Sequence, residues 1–327
     1  MVDSEFLKAL TEVPSVGTAC GPVLNLLARR FGKDYTRTLV PDGFCLFQKA
    51  GVTPEALRAV FVAHVDEIGG CVYGPRPEWE GGGFNARCWG NRPGIFADAT
   101  LQGFDYLAED AGETFRAHGE VVLFETEERL VLHGDAIRPY RTVFTFDEET
   151  TFKDDTIEGK ALDPRVTAYA VAEAVRALDT PEVGALFVMA EECAMDVARK
   201  AVIFLERRAP NLQTIANADV PWIENLSEGQ LDLPAIRIFE GRNFIDPSFG
   251  IRVAERLQAQ GVALHLSAAR SGSQTILFTP LAPTLSIALP SDGVHLPRVR
   301  MSLLGTERCV ALLQAIGQGA LKNEFRL

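Results

Sequence analysis

The sequence predicts an α/β fold in which a mixed sheet is covered by helices on both faces, with a smaller β domain inserted. Short apolar, β-branched runs alternate with amphipathic helical stretches, which is typical of such a sheet. Polar side chains recur where those runs stop, and one glycine- and proline-rich segment breaks the rhythm. With 327 residues, the chain is long enough for one large or two medium domains.

The elements of the main sheet can be predicted in chain order. Helical spacing of apolar residues begins at Val23 and recurs over 171–178, near 247–260 and over 303–316. The strands are predicted over 58–64, 184–190, 214–218, 235–239, 262–266 and 284–289.

The segment 72–156 does not follow this alternation. It contains three consecutive glycines at Gly81, several prolines and short apolar runs such as 121–124 and 130–132. We therefore predict an inserted β domain over 72–156, with residues 1–71 and 157–327 forming the main domain.

Composition excludes several classes of protein. The chain carries 32 Lys and Arg against 44 Asp and Glu, a net charge of −12, which argues against a nucleic-acid partner. Prolines interrupt the uncharged stretch 271–291, so no membrane span is expected. The first residues are acidic and no export signal follows them, while the six cysteines form no CxxC pair. We therefore expect a cytoplasmic protein with reduced thiols.

Polar residues that can bind metals follow the predicted strands. In open α/β sheets such residues meet in the crevice at the carboxyl ends of the strands. Two imidazoles with three or four carboxylates suit a pair of Zn²⁺, Co²⁺ or Mn²⁺ ions better than Ca²⁺. Each residue alone could be a turn or strand-end residue, so the prediction depends on the joint pattern. The candidates are His64, Asp66, Asp163, Glu191, Glu192, Asp219 and His295.

At this point the sequence resembles a known family over nearly its whole length. The strings Ala63-His64-Val65-Asp66-Glu67-Ile68-Gly69, Gly159-Lys160-Ala161-Leu162-Asp163, Ala190-Glu191-Glu192, Ala218-Asp219-Val220 and the late His295 carry the resemblance. In order and spacing they are similar to those of the dinuclear metalloaminopeptidases that are glutamyl-aminopeptidase-like and form tetrahedral particles.

The resemblance implies a role for each candidate. His64, Glu192, Asp219 and His295 would be terminal metal ligands, Asp163 would bridge two ions, Glu191 would be the catalytic base, and Asp66 would orient His64. Two divalent ions per chain are implied, Zn²⁺ first, with Co²⁺ or Mn²⁺ as alternatives. The implied substrates are short peptides trimmed at their N-terminus, and the implied assembly is a homo-oligomer, from a dimer up to a dodecamer.

Three local expectations accompany the resemblance. Glu191 and Glu192 can face one crevice only if regular strand pairing stops at or before Ala190. In related peptidases the bond after the bridging Asp is cis, and Pro164 would make that geometry easy to reach. The chain departs from the family pattern at 193–196 and at Gln274, which leaves pocket shape and assembly open.

Two other functions are compatible with the sequence. A deacylase or carboxypeptidase of the wider dinuclear group would keep the metals but cleave a different bond. A catalytically degenerate member would act as a binding or assembly module.

Overall fold

The computed structural model describes residues 1–77, 81–109, 114–124, 126–221, 230–269 and 271–325. Its helices are α1 (Ser4–Glu12), α2 (Gly21–Phe31), α3 (Pro93–Ala97), α4 (Leu162–Leu178), α5 (Glu191–Ala194), α6 (Arg199–Arg208), α7 (Pro247–Ala259), α8 (Thr275–Phe278) and α9 (Leu303–Leu321). Its strands are β1 (Tyr35–Val40), β2 (Phe44–Lys49), β3 (Ala59–His64), β4 (Gly69–Pro75), β5 (Phe84–Trp89), β6 (Leu101–Asp105), β7 (Phe115–Phe124), β8 (Glu127–His133), β9 (Thr142–Phe146), β10 (Thr151–Lys153), β11 (Thr156–Gly159), β12 (Val183–Val188), β13 (Thr214–Asp219), β14 (Ala235–Glu240), β15 (Asn243–Phe244), β16 (His265–Ala269), β17 (Thr284–Ala288), β18 (Ser291–Asp292) and β19 (Val299–Ser302).

A nine-stranded mixed sheet is the centre of the molecule. Its strand order is β1-β2-β12-β3-β13-β17-β14-β15, and β16 pairs with β14. The four central strands β12, β3, β13 and β17 are parallel. Their carboxyl ends therefore meet at one edge of the sheet, where ligands bind in folds of this kind.

Both faces of this sheet are covered. Side chains alternate along β3, so that Phe61 packs with α4 and α9 on one face. Val60 and Val62 point to the other face, where they pack with Leu205 of α6 and Phe278 of α8. Burial on both faces explains why β3 and β12 are almost entirely apolar. The predicted fold class is confirmed.

A closed barrel of strands β4-β5-β8-β7-β6-β9 lies between β3 and α4 in the chain. Its interior is filled by a separate apolar cluster that includes Val72, Leu130 and Phe144. The short helix α3 contributes Phe96, whose ring stacks on Phe146 with 4.9 Å between the ring centroids. The barrel thus has a core of its own.

A smaller sheet connects the segment after the barrel to the segment that precedes α9. Its order is β10-β11-β19-β18, and Gly159 of β11 pairs with Val299 of β19. The segments that precede Asp163 and follow His295 are therefore neighbours.

Two predicted strands have bounds that differ from the observed ones by more than one residue. The strand predicted over 262–266 is β16, His265–Ala269, because the amide of Val262 donates instead to the carbonyl of Leu257 and completes the end of α7. The strand predicted over 184–190 stops at Val188. The hairpin of β1 and β2 and the helix α6 were not among the predicted elements. Within the described residues, no helix is long and apolar enough to cross a membrane.

Candidate metal centre

The carboxyl ends of the central strands bring most of the predicted site residues together. His64 is the last residue of β3 and pairs with Val188, the last residue of β12. Asp219 is the last residue of β13 on the other side of β3. Strand pairing alone therefore places three chain segments at the same edge of the sheet.

The chain turns sharply after β12. Regular pairing ends at Val188, and Ala190 is left-handed with φ of 62°. The carbonyl of Gly17 accepts a hydrogen bond from the Ala190 amide, 3.0 Å away, which holds the turn. Glu191 then begins the short helix α5, so that two successive residues no longer alternate between sheet faces. The prediction that pairing stops at or before Ala190 is confirmed.

Asp66 connects the two halves of the site. Its Oδ1 lies 3.3 Å from Nδ1 of His64. The same carboxylate accepts hydrogen bonds from the backbone amides of Glu191 at 2.9 Å and Glu192 at 3.1 Å. The Asp66 carboxylate thus contacts both the His64 ring, as expected, and the start of α5. The second contact was not predicted from the sequence.

A first group of side chains surrounds Nε2 of His64. That nitrogen lies 3.3 Å from Oδ1 of Asp163 and 3.4 Å from Oδ1 of Asp219. All three residues are nearly or fully buried. Their ligand atoms lie within 4.8 Å of one another, which is close enough for one metal ion to contact all three.

A second group shares Asp163 with the first. Nε2 of His295 lies 3.1 Å from Oε2 of Glu192 and 3.6 Å from Oδ2 of Asp163. The ligand atoms of Asp163, Glu192 and His295 also lie within 4.8 Å of one another. One oxygen of Asp163 therefore faces each group, which is the arrangement of a bridging carboxylate.

Asp163 lies in the first turn of α4, where the backbone is not helical. Asp163 and Pro164 have non-helical φ and ψ angles, and the peptide bond between them is cis. The cis geometry expected at this bond is therefore present.

Burial and neighbouring carboxylates raise the pKa values of two glutamates in the site. The pKa of Glu192 is raised to about 7, chiefly by burial, while the contact with His295 lowers it and the nearby Asp163 raises it. Burial, Asp219 and Glu192 raise the pKa of Glu191 well above its usual value. These carboxyl groups therefore hold protons more strongly than ordinary glutamates.

The pKa values of both histidines are raised, which favours the protonated imidazole. Burial lowers the pKa of His64, but Asp163, Asp219 and Asp66 together raise it well above its usual value. Burial likewise opposes protonation of His295, whose pKa is raised to about 9 by Glu192, Asp163 and the backbone of Gly90. The site thus attracts positive charge.

A buried arginine lies behind Asp219. The guanidinium of Arg237 lies 3.4 Å from Oδ2 of Asp219 and 2.8 Å from Oε1 of Glu240. Its Nε donates to the hydroxyl of Ser286 at 2.8 Å. Burial raises the pKa of Asp219, but His64 and Arg237 outweigh it and the pKa is lowered. Arg237 was not predicted, although a lone arginine in an apolar strand was a visible signal.

A second buried cluster explains why two of the sequence motifs occur together. Glu67 accepts hydrogen bonds at 3.0 Å from Nζ of Lys160, and its Oε1 lies 3.4 Å from the Arg165 guanidinium. The amide of Ser15 and the hydroxyl of Thr145 also donate to it. This Glu67 cluster ties the segment that ends β3 to the segment that carries Asp163. Glu67 and Lys160 belong to the two motifs at 63–69 and 159–163, but the sequence alone indicated no role for either residue.

The donor set fits divalent metal ions. Oδ1 of Asp163 and Oε1 of Glu192 are buried and have no hydrogen-bond partner in the described part of the chain. Unpaired buried oxygens are costly unless a cation satisfies them. Two imidazoles with carboxylates match Zn²⁺, Co²⁺ or Mn²⁺.

The two departures from the family pattern have different surroundings. Cys193 and Met195 are exposed beside the site. Gln274 is buried, and its Nε2 donates to Asn217 at 3.1 Å. Its neighbours Ser273 and Thr275 hydrogen-bond to Glu240. The segment is therefore connected to Arg237 and, through it, to Asp219.

No protein-family model matches this sequence, and no curated protein matches it either. Solved structures do match its fold. A TET1 peptidase of Pyrococcus horikoshii, which can assemble into a tetrahedron or a large octahedral shell, has a TM-score of 0.78 at 16% identity, covering 96% of this chain and 98% of that chain.

Two further archaeal structures are similar. A TET aminopeptidase of a marine-sediment Thaumarchaeota archaeon has a TM-score of 0.80 at 13% identity, covering 96% of this chain and 95% of that chain. An aminopeptidase of Desulfurococcus kamchatkensis has a TM-score of 0.76 at 17% identity, covering 95% of this chain and 93% of that chain. The chain therefore has the fold of these aminopeptidases along nearly its whole length.

Proposed function

We propose that this chain is a metal-dependent aminopeptidase that removes N-terminal residues from short peptides. One observation carries the proposal, namely two groups of potential metal ligands that share Asp163 at the carboxyl ends of the central strands. The likeness in fold to structures named aminopeptidases supports the choice of reaction. A pair of metal ions held by one carboxylate is typical of hydrolytic sites.

The distances favour one division of the ligands. His64 and Asp219 would hold one ion, and Glu192 and His295 would hold the other, with Asp163 between them. Zinc fits these ligands first, and Co²⁺ or Mn²⁺ are alternatives. Asp66 supports both halves, because it orients His64 and fixes the amides of Glu191 and Glu192.

Glu191 is the proton carrier in this proposal. When bound, the metal pair supplies Lewis acidity that polarises the scissile carbonyl and lowers the pKa of a water molecule toward neutrality. The Glu191 carboxylate accepts the proton of that water and passes it to the leaving amine. In the metal-free protein, burial raises the pKa of Glu191, and the carboxylates of Asp219 and Glu192 add to this effect.

Replacing Glu191 by Gln tests the assignment. We expect hydrolysis of leucyl- or glutamyl-p-nitroanilide to fall by about 10²- to 10⁴-fold, while roughly two metal ions per chain stay bound. The matched control is Glu206→Gln, the same change at an exposed position of α6, which should leave activity unchanged. An active Glu191→Gln enzyme would disprove the role of this residue.

The same assays separate the other two functions. Hydrolysis of N-acyl amino acids without hydrolysis of the p-nitroanilides would identify a deacylase or carboxypeptidase. Binding of fewer than about one metal ion per chain after incubation with Zn²⁺ or Co²⁺ would favour a binding or assembly module, because a competent site of this kind holds two.

We further propose that residues 72–156 form an inserted domain that mediates assembly of a homo-oligomer, from a dimer up to a dodecamer. Large apolar side chains are exposed on the barrel, including Leu123 at 72% and Tyr140 at 80%. A monomer in sedimentation velocity would contradict the assembly.

The free cysteines fit the cytoplasmic location expected from the sequence.

A further inference from the structure

We propose that Asn91, in the loop that follows β5 of the barrel, is a positioning residue for His295. The inference rests on the proposed function, because it assigns a role around one of the two ligand groups described above. If so, the main domain does not build the candidate metal centre alone, because a barrel residue holds the backbone of His295 in place.

The side chain of Asn91 is fixed at both of its polar ends. Its Nδ2 donates a hydrogen bond to the backbone carbonyl of His295, 2.6 Å away. Its Oδ1 accepts a hydrogen bond from the amide of Arg92 at 2.8 Å. The second bond orients the amide so that the first can reach across from the barrel to a residue 204 positions later in the chain.

His295 needs such support because of its backbone. Its φ is 58°, in the left-handed region that residues other than glycine rarely adopt. It lies between β18 and β19, outside any regular element, so that no sheet or helix hydrogen bonds impose this conformation. The bond from Asn91 to the His295 carbonyl holds the conformation that directs Nε2 at Glu192.

The loop that carries Asn91 is itself fixed against the opposite side of the site. Gly90 has φ of 79°, and a Cβ at this position would lie 2.1 Å from Cγ2 of Ile68. Ile68 follows Asp66 and Glu67 in the segment that carries His64. The loop therefore lies between the His64 segment and His295.

Asn91 should affect only one of the two ligand groups. Asn91 hydrogen-bonds to His295, which belongs to the group of Asp163, Glu192 and His295. In the described chain, its hydrogen bonds reach no residue of the other group, which is His64, Asp163 and Asp219. Loss of a residue that supports a metal ligand typically weakens metal affinity by about 10- to 100-fold. The expected effect is therefore a selective loss at one ion.

The experiment is a Co²⁺ titration of the full-length, metal-free protein, followed by absorption spectroscopy and calorimetry. We expect two binding steps in the parent protein. In Asn91→Ala, one step should weaken by about 10- to 100-fold while the other is unchanged. Asn91→Asp keeps an acceptor for the Arg92 amide but loses the donor to His295, so it should weaken the same step. His295→Ala should abolish that step and thereby identify it.

Asn85→Ala is the matched control. Asn85 lies on β5 of the same barrel and donates from Nδ2 to a backbone carbonyl, that of Pro75, at 3.4 Å. Its replacement should leave both steps unchanged. Two unchanged steps in the Asn91 variants, or equal weakening of both steps, would overturn the inference. A parent protein that binds no metal pair would instead refute the proposed function.

Discussion

Two buried polar clusters share the segment 64–68, and they balance their charges in different ways. In the Glu67 cluster, one carboxylate faces the ammonium of Lys160 and the guanidinium of Arg165, and all three are almost fully buried. In the candidate metal centre, five carboxylates meet two histidines, and the buried cation Arg237 contacts one of these carboxylates, that of Asp219. The five carboxylates are those of Asp66, Asp163, Glu191, Glu192 and Asp219.

The difference separates a structural cluster from a binding site. The Glu67 carboxylate is satisfied by side chains and backbone groups of the chain itself. The candidate metal centre leaves one oxygen each of Asp163 and Glu192 without a hydrogen-bond partner, and burial raises the pKa values of these two carboxyl groups. A buried cluster with more carboxylates than cations is complete only when further cations bind to it.

Breaking the Glu67 cluster should have the largest effect on stability. The Glu67→Gln change leaves Lys160 and Arg165 buried without an anionic partner, which typically costs about 3 to 5 kcal/mol. The free energy of unfolding of the metal-free protein, measured by urea denaturation, should fall by this amount. A loss below about 1 kcal/mol would contradict the structural role of the cluster.

Two variants test whether burial and charge balance cause this loss. Glu173 also contacts two guanidiniums, those of Arg30 and Arg176, but near the surface, so Glu173→Gln should cost less than about 1 kcal/mol.

Asp163→Asn removes one negative charge from the metal centre, where the charges repel. It should change the stability of the metal-free protein by less than about 1 kcal/mol and abolish stabilisation by added metal. A loss as large as that of Glu67→Gln would invalidate the comparison.

The sequence predicted which side chains come together at the carboxyl ends of the strands better than it predicted the contacts that support them. His64, Glu191 and Asp219 follow or end apolar strands, and parallel strands place their carboxyl ends together, so local pattern and topology were sufficient. Asp163 and His295 were also candidates from their residue type and position, and the resemblance to a known family implied their roles as ligands. All of these side chains lie at the edge of the sheet where they were expected to converge.

The supporting contacts could not be predicted because they depend on tertiary distances that no local pattern encodes. Glu67 and Lys160 are 93 positions apart, and Asn91 and His295 are 204 positions apart. Arg237 stood in a predicted strand, but its partners could be known only once β13 and β14 were placed on either side of β17. The end of α7 shows the same limit, since the Val262 amide turns back to the helix and shortens the predicted strand.

The charge imbalance of the metal centre also predicts how stability depends on pH. The pKa of Glu192 is raised from 4.5 to about 7, chiefly by burial. Between these two values the folded, metal-free protein keeps a proton that the unfolded chain releases. Burial lowers the pKa of His295, but Glu192 and Asp163 raise it from 6.5 to about 9, so the folded protein also keeps a proton over that range. Both groups make the metal-free protein less stable as the pH rises.

Metal binding should reverse part of this effect, because the ligands bind metal as carboxylates and neutral imidazoles and must release these protons. For each proton released, affinity should rise by about tenfold per pH unit, which corresponds to about 1.4 kcal/mol. Melting temperatures at pH 6, 7 and 8, with chelator or with saturating Zn²⁺, measure the effect. The gap between the two conditions should widen as the pH rises, whereas Asp163→Asn should show no gap at any pH. A gap that stays constant in the parent protein would mean that Glu192 and His295 do not bind the metal, and the contrast with the Glu67 cluster would then lose its chemical basis.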